Sequence, residues 1–184
     1  MNFLELLLMS RKLSFEEGRI YLYGKGVLML PMAPIANYFS AVNNDDTTVK
    51  NTYSMSKSAI LSEYKENLSS SFKSSAGHAE FLRNNINLYG YGFAEFENSN
   101  FAIPGDVFIK DSPFVEALKG VVKKPIDHVL RGILAGVVTA ATGQDTDAIE
   151  LNCAAVSGEK CIMHLDTKAK LTAEFSELCR TQLP

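Results

Sequence analysis

KPIDHVLRGILAGVVTAATGQDTDAIELNCAAVSGEKCIMHL, residues 124–165, changes period twice. After Pro125, the residues Ile126, Val129, Leu130, Ile133, Leu134, Val137 and Val138 recur at helical spacing and form a wide apolar stripe. Proline suits a first helical turn and Gly143 suits a stop, so the pattern predicts a helix from Pro125 to about Thr142. Gly132 and Gly136 are four apart and share one face of it. Glycine inside a helix costs about 1 kcal/mol relative to alanine. A close helix contact, or a strand lying across that face, is therefore expected to offset the cost. Thr146–Cys153 then reads as a strand, Ser157-Gly-Glu159 as a turn, and Cys161–Leu165 as the returning strand.

This hairpin brings Glu150, Cys153 and Cys161 to one tip, and the start of the preceding helix offers Asp127 and His128. Thiolate, imidazole and carboxylate are the donors that zinc takes, four at a time in a closed structural site. Glu150, Cys153 and Cys161 with either Asp127 or His128 would make such a site, with no position left for a catalytic water. Spacing alone leaves two other readings open: buried free thiols, or a disulfide in an oxidising compartment.

Outward from this stretch, the composition is that of an ordinary soluble globular chain, 46% apolar and 21% charged over 184 residues, for which one domain over 1–184 is the expectation. Within it, 1–120 supplies a hairpin, helices and strands, and 121–184 a helix–hairpin–helix unit. A net charge of −3 argues against a nucleic-acid partner, although Lys119, Lys123, Lys124 and Arg131 leave a local basic groove open. No apolar run reaches the length of a membrane helix, and the apolar start MNFLELLLM lacks the preceding basic residues of a secretory signal. Three cysteines, an odd and sparse number, suit a reducing cytoplasm.

Elsewhere, Phe3–Phe15 reads as either a helix or an edge strand, and Arg19–Tyr23 and Val27–Leu30 flank a Gly24-Lys-Gly26 turn as a hairpin. Pro34–Val42 is a short helix, Asn43–Thr48 a polar turn, and Ser56–Asn87 mainly helical with a weak middle at its serine pairs and Gly77. Leu88–Glu97 and Phe101–Lys110 read as an antiparallel pair of strands, and Asp111-Ser-Pro-Phe114 as the start of a short helix. Ala169–Leu183 is a final amphipathic helix with Cys179 inside it.

Pro125-Ile-Asp127-His, Gly132, Gly136 and Gly143, followed by Glu150-x-x-Cys153, Gly158 and Cys161, resemble the 4-vinyl-reductase-like small-molecule-binding (hydrocarbon-binding) domain family. The resemblance covers about Pro125 to Leu165. It implies an α+β fold, an antiparallel sheet with helices packed on it, of the kind shared with the TRAPP vesicle-transport subunits (the NO-signalling/Golgi-transport ligand-binding fold). In the aromatic-sensing members, zinc is held by a cysteine just after a proline, a glutamate and two cysteines. Glu150, Cys153 and Cys161 match the last three, and the first falls on Asp127, a departure that aspartate or the neighbouring His128 would have to make good.

The resemblance also implies a pocket for a small apolar ligand between the sheet and the Pro125 helix, and a homodimer. Tyr89, Tyr91, Phe93, Phe96, Phe101, Phe108 and His164 are candidates for its lining, and each is equally well a core residue. The expected protein is therefore a non-enzymatic ligand-binding or sensor protein with a structural zinc site. A reductase or reductase accessory in tetrapyrrole metabolism is suggested by the family's name alone, without a dinucleotide fingerprint or nucleophile–base pair in the sequence. A protein-interaction module like the transport subunits is the third reading.

Overall fold

The computed structural model describes residues 3–22, 24–27, 30–63, 75–98 and 103–184. At the N-terminus, a helix α1 (Phe3–Met9) leads into a three-stranded antiparallel sheet of β1 (Leu13–Glu16), β2 (Arg19–Leu22) and β3 (Lys25–Val27), in that order. The stretch that read as helix or strand is thus both in succession. Gly24, at φ +77°, takes the left-handed turn between β2 and β3 that a side chain would disfavour. Leu7, Leu13 and Leu22 form a small apolar cluster of their own here.

Next come α2 (Met32–Val42), α3 (Asp46–Glu63) and α4 (Ser75–Leu88). Helix α3 starts ten residues before the Ser56 at which the apolar pattern becomes visible. Its first ten residues bury Val49 and Tyr53, four apart, so the stripe is narrow and the rest of that face is polar. The start is set by Asp45, whose carboxylate accepts the N–H groups of Thr47 at 3.1 Å and Thr48 at 3.3 Å. The middle of the expected Ser56–Asn87 helix, residues 64–74, lies outside the described residues.

The main sheet holds β4 (Phe93–Phe96), β5 (Gly105–Lys110), β6 (Asp147–Asn152) and β7 (Cys161–Asp166), antiparallel throughout, in the order β4-β5-β7-β6. Its register lines up rows across the strands: Phe96–Val107–Met163–Glu150, Ala94–Ile109–Cys161 and Gly105–Leu165–Ala148. Side chains of one row share one face. That face is the buried one, and α6 (His128–Thr142) lies with it in the main core, burying Leu130, Leu134, Val137 and Val138. Each such side chain taken from water stabilises the fold by about 1.5–3 kcal/mol. A short α5 (Pro113–Leu118) precedes α6, capped by Ser112, whose hydroxyl accepts the Val115 N–H at 3.4 Å. The expected C-terminal helix is two, α7 (Lys168–Glu174) and α8 (Ser176–Gln182), broken at Phe175 (φ −130°, ψ 45°), and both fold back on β6.

Helices α3 and α6 cross at Gly132 and Gly136. A Cβ on Gly132 would lie 2.6 Å from the Tyr53 carbonyl oxygen, and one on Gly136 2.8 Å from that of Lys57 and against Ile60. The two glycines are what let the backbones approach so closely. Tyr53 and Lys57 then reach past α6 to β6: the Tyr53 hydroxyl donates to Asp147 at 2.5 Å and accepts the Ala148 N–H at 3.2 Å, while Lys57 bonds Asp147 at 2.8 Å.

Candidate metal centre and ligand cavity

The β6–β7 turn is held by one side chain. Asn152 donates to the carbonyls of Lys160 at 2.5 Å and Ser157 at 3.3 Å. An irregularity in register between Glu150 and Asn152 re-aims the strand just before Cys153. These two devices turn Cys153 back toward Cys161, the first residue of β7. Glu150 is clamped at the edge of the sheet by Gln182 of α8, whose amide accepts its N–H at 2.7 Å and donates to its carbonyl at 3.0 Å.

The outcome is a buried cluster. One ligand atom each from Glu150, Cys153 and Cys161 lies within 4.8 Å of the other two, and none of the three residues is more than 3% exposed. Asp127 borders the cluster: its N–H donates to Glu150 Oε2 at 3.3 Å, and its carboxyl is hydrogen-bonded to Cys161 and Glu150. The groups share protons. The bond between the thiols pulls Cys153 down to about 7 and pushes Cys161 above the ordinary thiol range. Burial, and then the charge of Asp127, raise Glu150 well above the carboxylate range; burial raises Asp127 as well.

These residues fit zinc. The donor types are those zinc takes. Glu150 Oε1 is buried with no hydrogen-bond partner, which is costly in a folded protein unless something occupies that direction. The three cysteines of the chain are free thiols.

His128 is turned elsewhere. Asn43 Oδ1 accepts from its Nε2 at 2.6 Å, which leaves Nδ1 as the acceptor for an Arg131 N–H at 3.2 Å. Burial, and then the Arg131 charge, depress it to about 3, so the ring is neutral with both nitrogens engaged. Arg131 does not belong to a surface basic groove with Lys119, Lys123 and Lys124. It is fully buried, donating to the carbonyls of Ala148 at 3.0 Å and Gln182 at 3.2 Å, with its guanidinium 5.0 Å over the Tyr53 ring. Asn43, Arg131 and Gln182 support the cluster without having been singled out for it from sequence. Arg131 carried the one signal available, a lone charge inside the apolar stripe of α6.

On the same sheet face, Phe96, Asn98, Ile103, Gly105, Asp106, Val107, Leu165 and, from α6, Val138 border a part-open cavity of about 260 Å³, its mouth included. That is below the roughly 300–1,000 Å³ of drug-sized sites, so a fitting occupant is small. Of the seven aromatic and histidine candidates, Phe96 borders it, and Phe101 lies outside the described residues. Strand alternation takes most of the others away from it. Phe93 is 59% exposed on the face opposite Phe96, and Phe108 alternates with the buried Val107 and Ile109 and stacks under the Lys160 ammonium. His164 bonds Asp106 at 2.6 Å and packs edge-on to Phe175. Tyr89 follows the end of α4 and is 55% exposed, and the half-buried Tyr91 packs on the main core.

Comparison with known proteins agrees with this architecture. Residues 106–167 match the model of the vinyl-4-reductase domain. No curated protein sequence matches the chain. Among solved structures, the phenol-responsive sensory domain of the transcription activator PoxR, crystallised with phenol, superposes with a TM-score of 0.75 at 18% identity, covering 97% of this chain and 96% of that one. A vinyl-4-reductase family protein from Methanocaldococcus jannaschii gives 0.54 at 18% identity, over 76% of this chain and 83% of that one. A trafficking protein particle complex subunit 3 from Naegleria fowleri, covalently bound to palmitic acid, gives 0.51 at 12%, over 74% and 95%. Residues 106–167, which carry the whole cluster and half of the cavity wall, are a vinyl-4-reductase domain, and the chain has the α+β fold of these three structures.

Proposed function

We propose that this chain is a small-molecule-binding or sensor protein, that its cavity takes a small apolar or aromatic ligand, and that Glu150, Cys153 and Cys161 hold a structural zinc ion. The ligand reading is carried by one observation: an apolar cavity between the core face of the sheet and α6, in a fold that the phenol-responsive PoxR domain shares over nearly its whole length. Helix α6 links the two sites. It begins beside the cluster at Asp127 and reaches the cavity at Val138, about 16 Å further along at 1.5 Å per residue. When bound, zinc supplies a crosslink there and no reaction. Cys153 and Cys161 anchor the hairpin, Glu150 anchors the edge strand, and the start of α6 is held over the sheet. The wall of the cavity is thereby fixed.

The free thiols suit a reducing, cytoplasmic setting. A homodimer is the proposed assembly, and the exposed Leu4, Leu6, Leu8 and Met9 of α1 are apolar surface available to a second copy. Among the described residues, no helix is long and apolar enough to cross a membrane.

The test is direct. Metal analysis of the purified chain should find one zinc per chain, and calorimetric titration should find saturable binding of phenol or a simple alkylphenol. Native mass spectrometry should show two chains, with any co-purified apolar ligand. A well-folded chain that binds no single-ring aromatic compound sinks the ligand reading; one that carries and takes up no zinc sinks the metal reading.

A further inference from the structure

We infer that Asp127 is the fourth donor of the centre, so that the ion is held by two carboxylates and two thiolates and His128 takes no part. The inference rests on the zinc reading above and goes beyond it by naming the last ligand and the resulting metal preference.

Three observations carry it. First, Asp127 occupies the N-cap position of α6 yet makes no side-chain cap bond. An aspartate there ordinarily accepts an N–H from the first turn, stabilising the helix by about 1 kcal/mol. This one forgoes the cap, and its carboxyl, in a residue 3% exposed, is turned to Cys161 and Glu150. Second, the backbone holds it there: the Asp127 N–H is bonded to Glu150 Oε2, and the partnerless Glu150 Oε1 belongs to the carboxylate that lies within 4.8 Å of both sulfurs. Third, the competing imidazole has no free nitrogen, because Asn43 and Arg131 occupy both. Recruiting His128 would break two buried hydrogen bonds, whereas recruiting Asp127 only exchanges its bonds to two ligands for one to the ion they hold.

The donor count has a chemical consequence. Two carboxylates and two thiolates make a harder set than one with three thiolates, and softer ions lose more from each thiolate removed. The centre should therefore favour cadmium over zinc less than an otherwise identical site bearing a cysteine at position 127.

Cobalt(II) titration of the full chain tests this, because the absorption reports both coordination number and thiolate count. The wild type should give a four-coordinate spectrum with two-thiolate intensity. D127N, which keeps the shape, and D127A should each weaken cobalt and zinc binding by at least about tenfold, since loss of even an outer-shell partner typically costs 10–100-fold. H128Q should leave affinity and spectrum unchanged. D127C should raise the charge-transfer intensity by roughly one half and increase the cadmium-to-zinc affinity ratio. Wild-type affinity in a folded D127N, or a loss that follows H128Q, overturns the assignment. A wild type that takes up no cobalt or zinc overturns the zinc reading itself, a distinct result.

Discussion

The side-chain amide of Gln182 holds the peptide of Glu150 from both sides, accepting its N–H at 2.7 Å and returning a hydrogen bond to its carbonyl at 3.0 Å. β6 is the edge strand of the main sheet, so these groups have no neighbouring strand to pair with. A residue of the last helix thus completes the sheet beside the cluster, and Arg131 donates to its main-chain carbonyl. Gln182→Ala leaves both Glu150 main-chain groups buried and unpaired. An unpaired buried donor or acceptor costs about 1–3 kcal/mol, so a loss of about 2–4 kcal/mol is expected by urea denaturation, with faster amide exchange in α8. A variant as stable as the wild type would mean that water replaces the amide.

Gly132→Ala sets two effects against each other. Alanine improves helix propensity by about 1 kcal/mol. Its methyl would meet the Tyr53 carbonyl oxygen at 2.6 Å and the Ser56 Cβ at 2.7 Å. Overpacking costs about 1–3 kcal/mol, and here the obstacle is backbone that cannot rotate away. A net loss of about 1–2 kcal/mol is expected, and Gly136→Ala should behave alike. Alanine variants more stable than the parent would show that the helices are not in this contact.

Tyr53→Phe removes one hydroxyl with two partners. The Ala148 N–H loses its acceptor, while Asp147 keeps Lys57 at 2.8 Å. The orphaned N–H dominates, so the loss should be about 1–3 kcal/mol. Lys57→Met should cost less, since the hydroxyl of Tyr53 still reaches Asp147. The reverse ranking in thermal unfolding would show that the ion pair is the main tie between α3 and β6.

Zinc bound to the folded chain alone stabilises it by mass action. At a free concentration about a thousand times its Kd, the gain is about 4 kcal/mol. Chelation should remove that gain in the wild type and do nothing in Cys161→Ser, which lacks one of the central donors. Amide protection should fall first at the start of α6 and at the hairpin turn. Equal stability with and without chelator in a zinc-loaded sample would remove the structural role from the ion.

Along the chain, legibility followed local pattern. The apolar stripe of α6, the glycine stop at Gly143 and the Ser112-Pro113 start of α5 were readable because each is decided within a few residues. The start of α3 was not, because Asp45 begins a helix whose first turns are polar on most faces. The cavity wall was least legible: an aromatic residue in a strand points to one of two faces, and a shift of one residue reverses the answer. Phe93 and Phe96, three apart, accordingly face opposite ways.

By itself, the sequence determined a helix, a strand and a return strand, with acidic and thiol donors at their ends and two glycines demanding a close neighbour. Periodicity, turn chemistry and donor spacing are local properties, and they survive without knowledge of the rest of the chain. Only the tertiary structure decided that α3 is that neighbour, that Asp127 and not His128 faces the thiols, and that Gln182 from the last helix closes the edge beside Glu150. Those are pairings between residues 23 to 85 positions apart, and their energies exist only once the core has brought the partners together.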